Sequence, residues 1–245
     1  VVPSKSTLPI LENVLFELNA NELTLTASDL EIAMSVKMPV SGESDGRIAI
    51  PAKKLSETLK ALPATDVLLE ADLASNRVAL TTDAAEYKMM GDNASNFPET
   101  DTVAEDFSLQ LDSGQLKAIV NITSFAVSTD DLRPSMKGVL FQWKDNEFRA
   151  VATDGHRLVR VKHGGALSEL ELEGTREVII PAKALNLTLK SLASDTVDVV
   201  FGTTNVKFQT PDLVLVSRII DERYPSYEGV IPGDNDNSLT VNRNA

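Results

Sequence analysis

The feature that most constrains the fold of this 245-residue chain is an internal repeat with a period of 125 to 130 residues. Three pairs of segments carry it: NVLF at 13–16 and GVLF at 138–141, ASD at 27–29 and ATD at 152–154, and IPAK at 50–53 and again at 180–183. A period of this length is too long for a solenoid and has the size of an independent domain. The sequence therefore predicts two homologous domains, at residues 1–103 and 104–233.

Both ends of the chain indicate that it is a fragment. After Gly233, the polar run DNDN leads to SLTV at 238–241, much as the acidic pair at 105–106 leads to FSL at 107–109. We therefore expect residues 234–245 to begin a third domain. The strand predicted at 107–111 and most of the helix after it have no counterpart before Val1, so we expect the first domain to lack both.

The same order of elements is predicted in both copies. Alternating apolar residues around Asn-rich turns predict hairpins, and leucines at helical spacing behind a proline predict helices at 51–62 and 181–192. A further helix is predicted at 113–127. Strands are predicted at 14–18, 22–27, 32–39, 47–50, 67–71, 77–81 and 86–90, and then at 107–111, 158–162, 177–180, 197–201, 206–209 and 213–219. The fold class that follows is α+β with antiparallel sheets.

Composition excludes several classes of protein. With 42% hydrophobic residues and no apolar run near the length of a membrane span, the chain is predicted to be soluble rather than a membrane protein. The absence of cysteine excludes disulfides and thiolate ligands and suits a reducing cytoplasm. His156 and His163 are the two histidines, so we predict no metal and no cofactor.

Charge is distributed unevenly along the chain. The formal net charge is −13, yet the three predicted helices together carry +5, which leaves −18 for the rest. If the helices share one face, that face is basic on an acidic body and could meet phosphates without reading bases. The alternative is that lysines are simply good residues for a helix surface. Charge alone does not decide between the two.

The best candidate for a catalytic site is TDGHR at 153–157, which brings an acid, a base and a hydroxyl together. Asp154-Gly155 is also strong turn chemistry between two strands. The first copy has Asp29 at this place and no histidine beside it. The sequence also lacks a glycine-rich phosphate loop. We predict that the chain is not an enzyme, and a hydrolase centred on Asp154 and His156 stays the alternative.

Several motifs together resemble those of the bacterial DNA polymerase III beta subunit family, the sliding clamps. They are TLPIL at 7–11, TASDLE at 26–31, FP at 97–98, RPSMKGV at 133–139, ATDGHRL at 152–158 and YP at 224–225. The resemblance implies a non-catalytic processivity factor built from three similar domains, with sheets outside and two helices inside each. Two full-length chains of this family close head to tail into a homodimeric ring around duplex DNA.

The resemblance also implies which basic residues face DNA. A weakly basic lining without base contacts allows a ring to slide on duplex DNA of any sequence. The expected DNA-facing residues are Lys5, Lys53, Lys54, Lys60, Lys117, Arg133, Lys183 and Lys190.

In this family, partner proteins insert a short peptide with apolar anchors into a pocket between the second and third domains. The partners implied are the replicative polymerase, the clamp loader and other proteins that carry a clamp-binding motif. Gly229 stands where some members place a basic side chain, and Met136 stands where leucine is more usual. The expected pocket residues are Met136, Thr153, Gly155, His156, Arg157, Leu158, Pro225 and Val230.

Two further expectations follow. Because the third domain is all but absent, we expect that this chain cannot close the ring alone. A rival to the clamp is an adaptor that uses the repeated sheets only to bind proteins. Charge reversal at Lys53, Lys60, Lys183 and Lys190 would leave the function of such an adaptor intact.

Overall fold

The computed structural model describes residues 1–145, 147–163, 174–234 and 239–242. The first half, called unit 1 below, contains the following elements: β1 (Asn13–Asn19), β2 (Glu22–Ser28), β3 (Ile32–Pro39), β4 (Gly46–Pro51), α1 (Ala52–Ala61), β5 (Leu68–Asp72), β6 (Arg77–Thr81), β7 (Glu86–Met90) and β8 (Asp92–Asn93).

The second half, called unit 2, repeats this order behind an additional strand and helix. Its elements are β9 (Phe107–Asp112), α2 (Ser113–Thr123), β10 (Gly138–Lys144), β11 (Glu147–Thr153), β12 (Leu158–His163), β13 (Arg176–Pro181), α3 (Ala182–Ser191), β14 (Thr196–Phe201), β15 (Asn205–Gln209) and β16 (Leu213–Arg218).

The strands of each unit form two antiparallel sets. In unit 1 the first set has the order β4-β1-β2-β3, and in unit 2 the corresponding set has the order β13-β10-β11-β12. The second sets are β5-β6-β7 in unit 1 and β9-β14-β15-β16 in unit 2. The repeat in the sequence is therefore a repeat in topology, and the predicted α+β class is confirmed.

The two units are joined through their backbones. Strand β3 of unit 1 pairs antiparallel with β16 of unit 2, and this pairing merges two sets into one nine-stranded sheet, β8-β4-β1-β2-β3-β16-β15-β14-β9. The register runs from Leu213 opposite Val36 to Ser217 opposite Ile32. The side chain of Ile32 is buried in the core of unit 2. Main-chain hydrogen bonds and apolar burial thus both hold the junction.

The core of unit 2 forms between its two sheets and its two helices. Alternate residues of the strands point inward, as the period of two in a strand requires, and helix α3 adds Ala184, Leu185 and Thr188 from one face. Rings of Phe107, Trp143 and Phe201 pack against one another. Unit 1 has a smaller core of the same kind, with Phe16, Ile50 and Leu55.

Tight turns explain why the hairpins form at the same places in both units. Ala20 between β1 and β2 and Asp145 between β10 and β11 both have positive φ, at 52° and 54°. Such turns match the twist of the flanking strands. The sequence predicted both from their asparagine and aspartate content, although Asn146 lies outside the described residues.

Most predicted elements are confirmed to within two residues. The helix predicted at 113–127 divides into α2 and the 3₁₀ helix Ser124–Ala126. Prediction missed β8 and four other 3₁₀ helices in the described part of the chain, Pro9–Glu12, Ala94–Asn96, Pro134–Lys137 and Glu228–Val230. Of the strand predicted at 238–241, Ser238 is outside the described residues, and the remaining three residues are in neither helix nor strand. No helix within the described ranges is long and apolar enough to cross a membrane.

Candidate functional site

The turn between β11 and β12 gathers five of the residues expected in the pocket. Thr153 Oγ1 accepts a hydrogen bond from the Gly155 amide at 3.1 Å and donates one to the Arg157 carbonyl at 2.8 Å. Gly155 has φ +89°, a conformation that side chains rarely adopt. These bonds hold the backbone of 153–157 in one conformation, and they leave the His156 and Arg157 side chains exposed.

Asp154 caps this turn. Its Oδ1 accepts hydrogen bonds from the amides of His156 and Arg157, both at 2.9 Å, and its Oδ2 lies 2.8 Å from Arg157 Nε. The backbone amides of Arg157 and His156, and then the Arg157 guanidinium, hold the pKa of the Asp154 carboxyl well below its usual range. Asp154 therefore stays ionised across the physiological range and supports the turn as a fixed acceptor.

The residues proposed for catalysis do not form an acid–base pair in this geometry. Both Asp154 oxygens are engaged by the turn itself, and the His156 side chain is exposed. The described part of the chain also contains no group of three or more acidic or histidine side chains that could hold a metal ion. TDGHR is the sequence of a capped turn in this structure.

An apolar cluster supports the turn from the outer face of the four-stranded sheet. Leu158, the first residue of β12, packs against a buried group that includes Tyr224 and Tyr227. Tyr224 donates a hydrogen bond to the Val151 carbonyl at 3.4 Å, and burial raises the pKa of this phenol to about 12. Pro225, between the two tyrosines, is half-buried. The cluster thus packs Leu158 against the segment that carries Pro225.

Met136 and Val230 each lie in a short 3₁₀ helix, Pro134–Lys137 and Glu228–Val230 respectively. Met136 is half-buried, and its carbonyl accepts a hydrogen bond from the Ser128 amide at 2.9 Å. The helix that contains it leads directly into β10, which pairs with β11. Val230 ends the segment that carries the tyrosines and is 70% exposed. The Val230 side chain is thus accessible to a ligand, and that of Met136 is partly accessible.

The structure places Arg133 beside this turn. A Cβ atom added at Gly155 would lie 2.7 Å from Arg133 Nη1, and Arg133 Nε bonds Asp130 Oδ2 at 2.9 Å. The Arg157 guanidinium lies 5.6 Å from the ring centre of Phe125, which is 57% exposed. Sequence reasoning missed Phe125 because helical spacing assigned it to the apolar face of the preceding helix.

The other basic residues expected to face DNA differ in their surroundings. Lys53, Lys54 and Lys60 are exposed on α1, Lys190 is exposed at the end of α3, and Lys5 is exposed near the start of the chain. Lys117 on α2 is half-buried and donates a hydrogen bond to the Leu192 carbonyl at 3.3 Å. This bond links α2 to the end of α3.

Lys183 is engaged at the junction of the units. Its Nζ lies 2.5 Å from Oδ2 of Asp29, which is in the turn between β2 and β3. Burial opposes ionisation of Asp29, but hydrogen bonds from Lys183 and the Ile32 amide outweigh it and lower the pKa of Asp29. Sequence reasoning could not find this contact, since it depends on how the two units meet.

Two family models match the chain in order. Residues 1–101 match the N-terminal domain of the DNA polymerase III beta subunit, and residues 110–226 match its central domain. The sequence is 29% identical over 249 residues to the beta sliding clamp of Pseudomonas putida, with 100% of this chain and 66% of that protein covered. It is 31% identical over 255 residues to that of Staphylococcus epidermidis, with 98% and 65% covered.

Solved structures agree with the sequence comparison. A sliding clamp from Pseudomonas aeruginosa bound to griselimycin superposes with a TM-score of 0.87 at 27% identity, over 96% of this chain and 64% of that one. The clamp from Bacillus subtilis gives 0.85 at 29% identity, over 96% and 63%. The chain thus spans slightly less than two thirds of these relatives. With both domain models matched in order and the same fold throughout, it belongs to the DNA polymerase III beta subunit family.

Proposed function

We propose that this chain is part of a DNA sliding clamp, a processivity factor that encircles duplex DNA and tethers a replicative polymerase. The observation that carries the proposal is the pairing of β3 with β16. This contact is head to tail, because it joins the first strand set of one unit to the second set of the next. A head-to-tail contact generates a ring when its rotation closes.

The repeat supplies the edges that would continue such an assembly. In unit 2, β12 holds the position that β3 holds in unit 1, and it lies at the edge of its sheet. In unit 1, β7 holds the position of β16 and is also an edge strand. Free edges are ready to pair with another strand. We propose that β12 pairs with a third unit and that β7 pairs with the third unit of a second chain.

The charge on the helices supports DNA as the enclosed partner. The five exposed lysines and Lys117, Lys183 and Arg133 form the proposed DNA-facing set. Lys183 and Arg133 have acidic partners, so we expect them to contribute less than Lys53, Lys54, Lys60 and Lys190. A few phosphate contacts give weak, salt-dependent binding that permits sliding.

The turn at 153–157 and the segment at 224–230 support a protein-binding role. A preformed turn, exposed polar side chains and the apolar groups of Met136, Leu158, Pro225 and Val230 suit a short peptide with apolar anchors. We propose that the polymerase, the clamp loader and other motif-bearing proteins bind here, and that the chain itself is non-catalytic and acts in the cytoplasm.

The domain division stays a prediction, with domains at 1–103 and 104–233 and a third domain beginning at 234. A ring of two full-length chains is proposed, and residues 1–245 alone should not form it. Size-exclusion chromatography with light scattering tests this point. A stable closed dimer of residues 1–245 would contradict it.

Enclosure of DNA is tested with the full-length protein, its loader and ATP on nicked circular DNA. After loading, the salt concentration is raised and half of the sample is linearised. Retention on circles with loss from linear DNA supports a sliding ring. Equal retention on both indicates ordinary surface binding, and no retention on either, with a loader active on a known clamp, favours the adaptor or the hydrolase.

A matched set of variants separates the rivals. Reversing the charge at Lys53, Lys60, Lys183 and Lys190 should lower the amount of protein loaded and weaken salt-dependent DNA binding if these residues face DNA. Protein that is already loaded should still stay on circles at high salt, because enclosure holds it. Reversal at Arg77, which is exposed on the central strand β6 and outside the proposed DNA-facing set, is the control. Turnover of any hydrolysable substrate that disappears in His156→Ala would instead support the hydrolase.

A further inference from the structure

The segment Tyr224–Val230 carries two of the proposed pocket residues, Pro225 and Val230, and it crosses the outer face of the four-stranded sheet. Its ends differ in how firmly they are held. Tyr224 is buried in the apolar cluster at one end, whereas Val230 is 70% exposed at the other. If Val230 is to form a wall of the pocket, contacts made between Tyr224 and Val230 have to fix its position.

Two polar contacts to the sheet lie between those ends. Tyr227 donates a hydrogen bond to Gln142 Oε1 at 2.7 Å, and Arg149 Nη1 bonds Glu228 Oε1 at 2.8 Å. Gln142 and Arg149 are on the neighbouring strands β10 and β11, and they are only 4% and 8% exposed. The Tyr227–Gln142 bond is buried, and the Arg149–Glu228 bond is charge-assisted with its carboxylate about half-exposed. A buried bond is stronger than an exposed one, and a charge-assisted bond is stronger than a neutral one.

Both sheet residues are held by second partners. Gln142 Nε2 donates to Glu177 Oε1 at 2.6 Å, which fixes the amide with its oxygen toward Tyr227. Arg149 also bonds Glu147 Oε2 at 2.9 Å, and Lys144 lies 3.3 Å from Glu228. The sheet therefore holds the Gln142 amide oxygen in place as an acceptor and the Arg149 guanidinium in place as a donor for the segment.

Unit 1 shows what the same face looks like without these contacts. Glu17 and Thr24 occupy the positions of Gln142 and Arg149 in the repeat. They line an open cavity of about 900 Å³ there, and Glu17 pairs with Arg47 instead. The contacts to a crossing segment are thus specific to unit 2, the unit that contains the expected pocket residues.

We propose that Gln142 and Arg149 are positioning residues for the peptide pocket: through Tyr227 and Glu228 they hold Pro225 and Val230 in the conformation that a partner peptide binds. This inference rests on the proposed function of the pocket. In this proposal neither Gln142 nor Arg149 contacts the peptide. When only a fraction of molecules is in the competent conformation, the apparent affinity falls by that fraction.

The variants are Tyr227→Phe, Arg149→Met and Glu228→Gln in the full-length protein. Affinity is measured with a fluorescein-labelled synthetic peptide carrying the clamp-binding motif of a replicative polymerase. Arg149→Met should weaken binding about tenfold, and Tyr227→Phe about threefold, as expected if the competent fraction falls to about a tenth and a third. Glu228→Gln keeps an acceptor for Arg149 and should bind better than Arg149→Met.

Hydrogen exchange separates positioning from general stability. The amides of Val230 and Ile231 bond the carbonyls of Tyr227 and Glu228, so their exchange should accelerate in the variants while β10 and β11 stay protected. Arg47→Ala, which breaks the Arg47–Glu17 ion pair on the equivalent face of unit 1, is the control and should change neither exchange at 224–231 nor affinity.

Each outcome is decisive. Unchanged exchange and affinity in the variants would overturn the inference, and so would faster exchange with unchanged affinity, because the segment would then be held without being positioned. If the wild-type protein does not bind the peptide, the proposed pocket is wrong and positioning falls with it. Exchange still shows in that case whether the contacts hold the segment.

Discussion

The β2–β3 turn of unit 1 and the β11–β12 turn of unit 2 are built alike but face different surroundings. Asp29 Oδ1 accepts from the amides of Glu31 and Ile32, as Asp154 Oδ1 accepts from those of His156 and Arg157. The second oxygen of Asp29 binds Lys183 of unit 2, whereas that of Asp154 binds Arg157 of its own turn.

This difference shows how one local structure is held by two different sets of contacts. In unit 1 the turn is part of a junction, since the Glu31 carbonyl also accepts a hydrogen bond from the Arg218 amide at 2.9 Å. In unit 2 the Asp154 carboxylate pairs with Arg157 of the same turn, and the His156 and Arg157 side chains are exposed. The same turn thus contacts the neighbouring unit in one copy and pairs its aspartate within the turn in the other.

The largest effect is expected where the junction is broken. Leu215 of β16 is fully buried, and Leu215→Ala should cost about 3 kcal/mol in the free energy of unfolding, within the range for buried leucines. Leu158→Ala at the free edge should cost about 1 kcal/mol, because this side chain is only partly buried. Urea denaturation measures both. Equal losses would mean that the junction is no better packed than the free edge.

Opposite signs are expected at equivalent positions of the two turns. Leu30 has φ +74° where unit 2 has Gly155 at +89°. Gly155→Ala should destabilise by about 1 to 2 kcal/mol, and its Cβ would displace Arg133. Leu30→Gly should relieve strain and stabilise by about 0.5 kcal/mol. Thermal unfolding of both variants tests the pair, and destabilisation by Leu30→Gly would show that the exposed leucine has a contact of its own.

Acid should affect both turns in the same direction. The folded-state pKa values of Asp29 and Asp154 are lowered, so each carboxylate contributes stability that is present above about pH 4. That stability is lost as pH falls through the lowered pKa. Asp29→Asn should flatten the decline in urea midpoint below pH 4, and Lys183→Gln should flatten it partly. A decline as steep as in the wild type would exclude Asp29 as a contributor.

The smallest effect concerns DNA. Each phosphate contact changes the slope of log K against log salt by about 0.9. Lys190→Gln should lower the slope of the full-length protein by nearly this amount, and Lys183→Gln by less, since Asp29 already binds Lys183. Fluorescence anisotropy with a short duplex measures the slopes. A larger loss for Lys183→Gln would mean that DNA displaces Asp29.

How far the sequence predicts the molecule depends on the range of the interaction. The Pro51 and Pro181 helix starts and the Asp154-Gly155 turn are local signals, so they were predicted correctly. The Lys183 to Asp29 pair joins residues far apart in the chain, and no local pattern contains it. Strand β8 consists of two residues, too few for a period to be visible.

The candidate site likewise combines residues that are close in sequence, which were predicted, with residues that only the fold brings together. The turn residues 153–158 follow one another in sequence, and the structure keeps them together. Arg133 was assigned to DNA as a loop cation, yet it lies against Gly155, a position that depends on the path of residues 128–137. Its role, like those of the other site residues, stays a prediction. Arg149 and Gln142 were not singled out because polar residues in a strand usually indicate its solvated face.

The nine-stranded sheet has a mechanical consequence. The main-chain hydrogen bonds between β3 and β16 resist bending and shear at the junction. We therefore expect units 1 and 2 to move together as one rigid body. We therefore expect the distance from the lysines of α1 to the turn at 153–157 to vary little under thermal motion. A protein bound at that turn would then be held at a fixed distance from a ligand bound by the lysines.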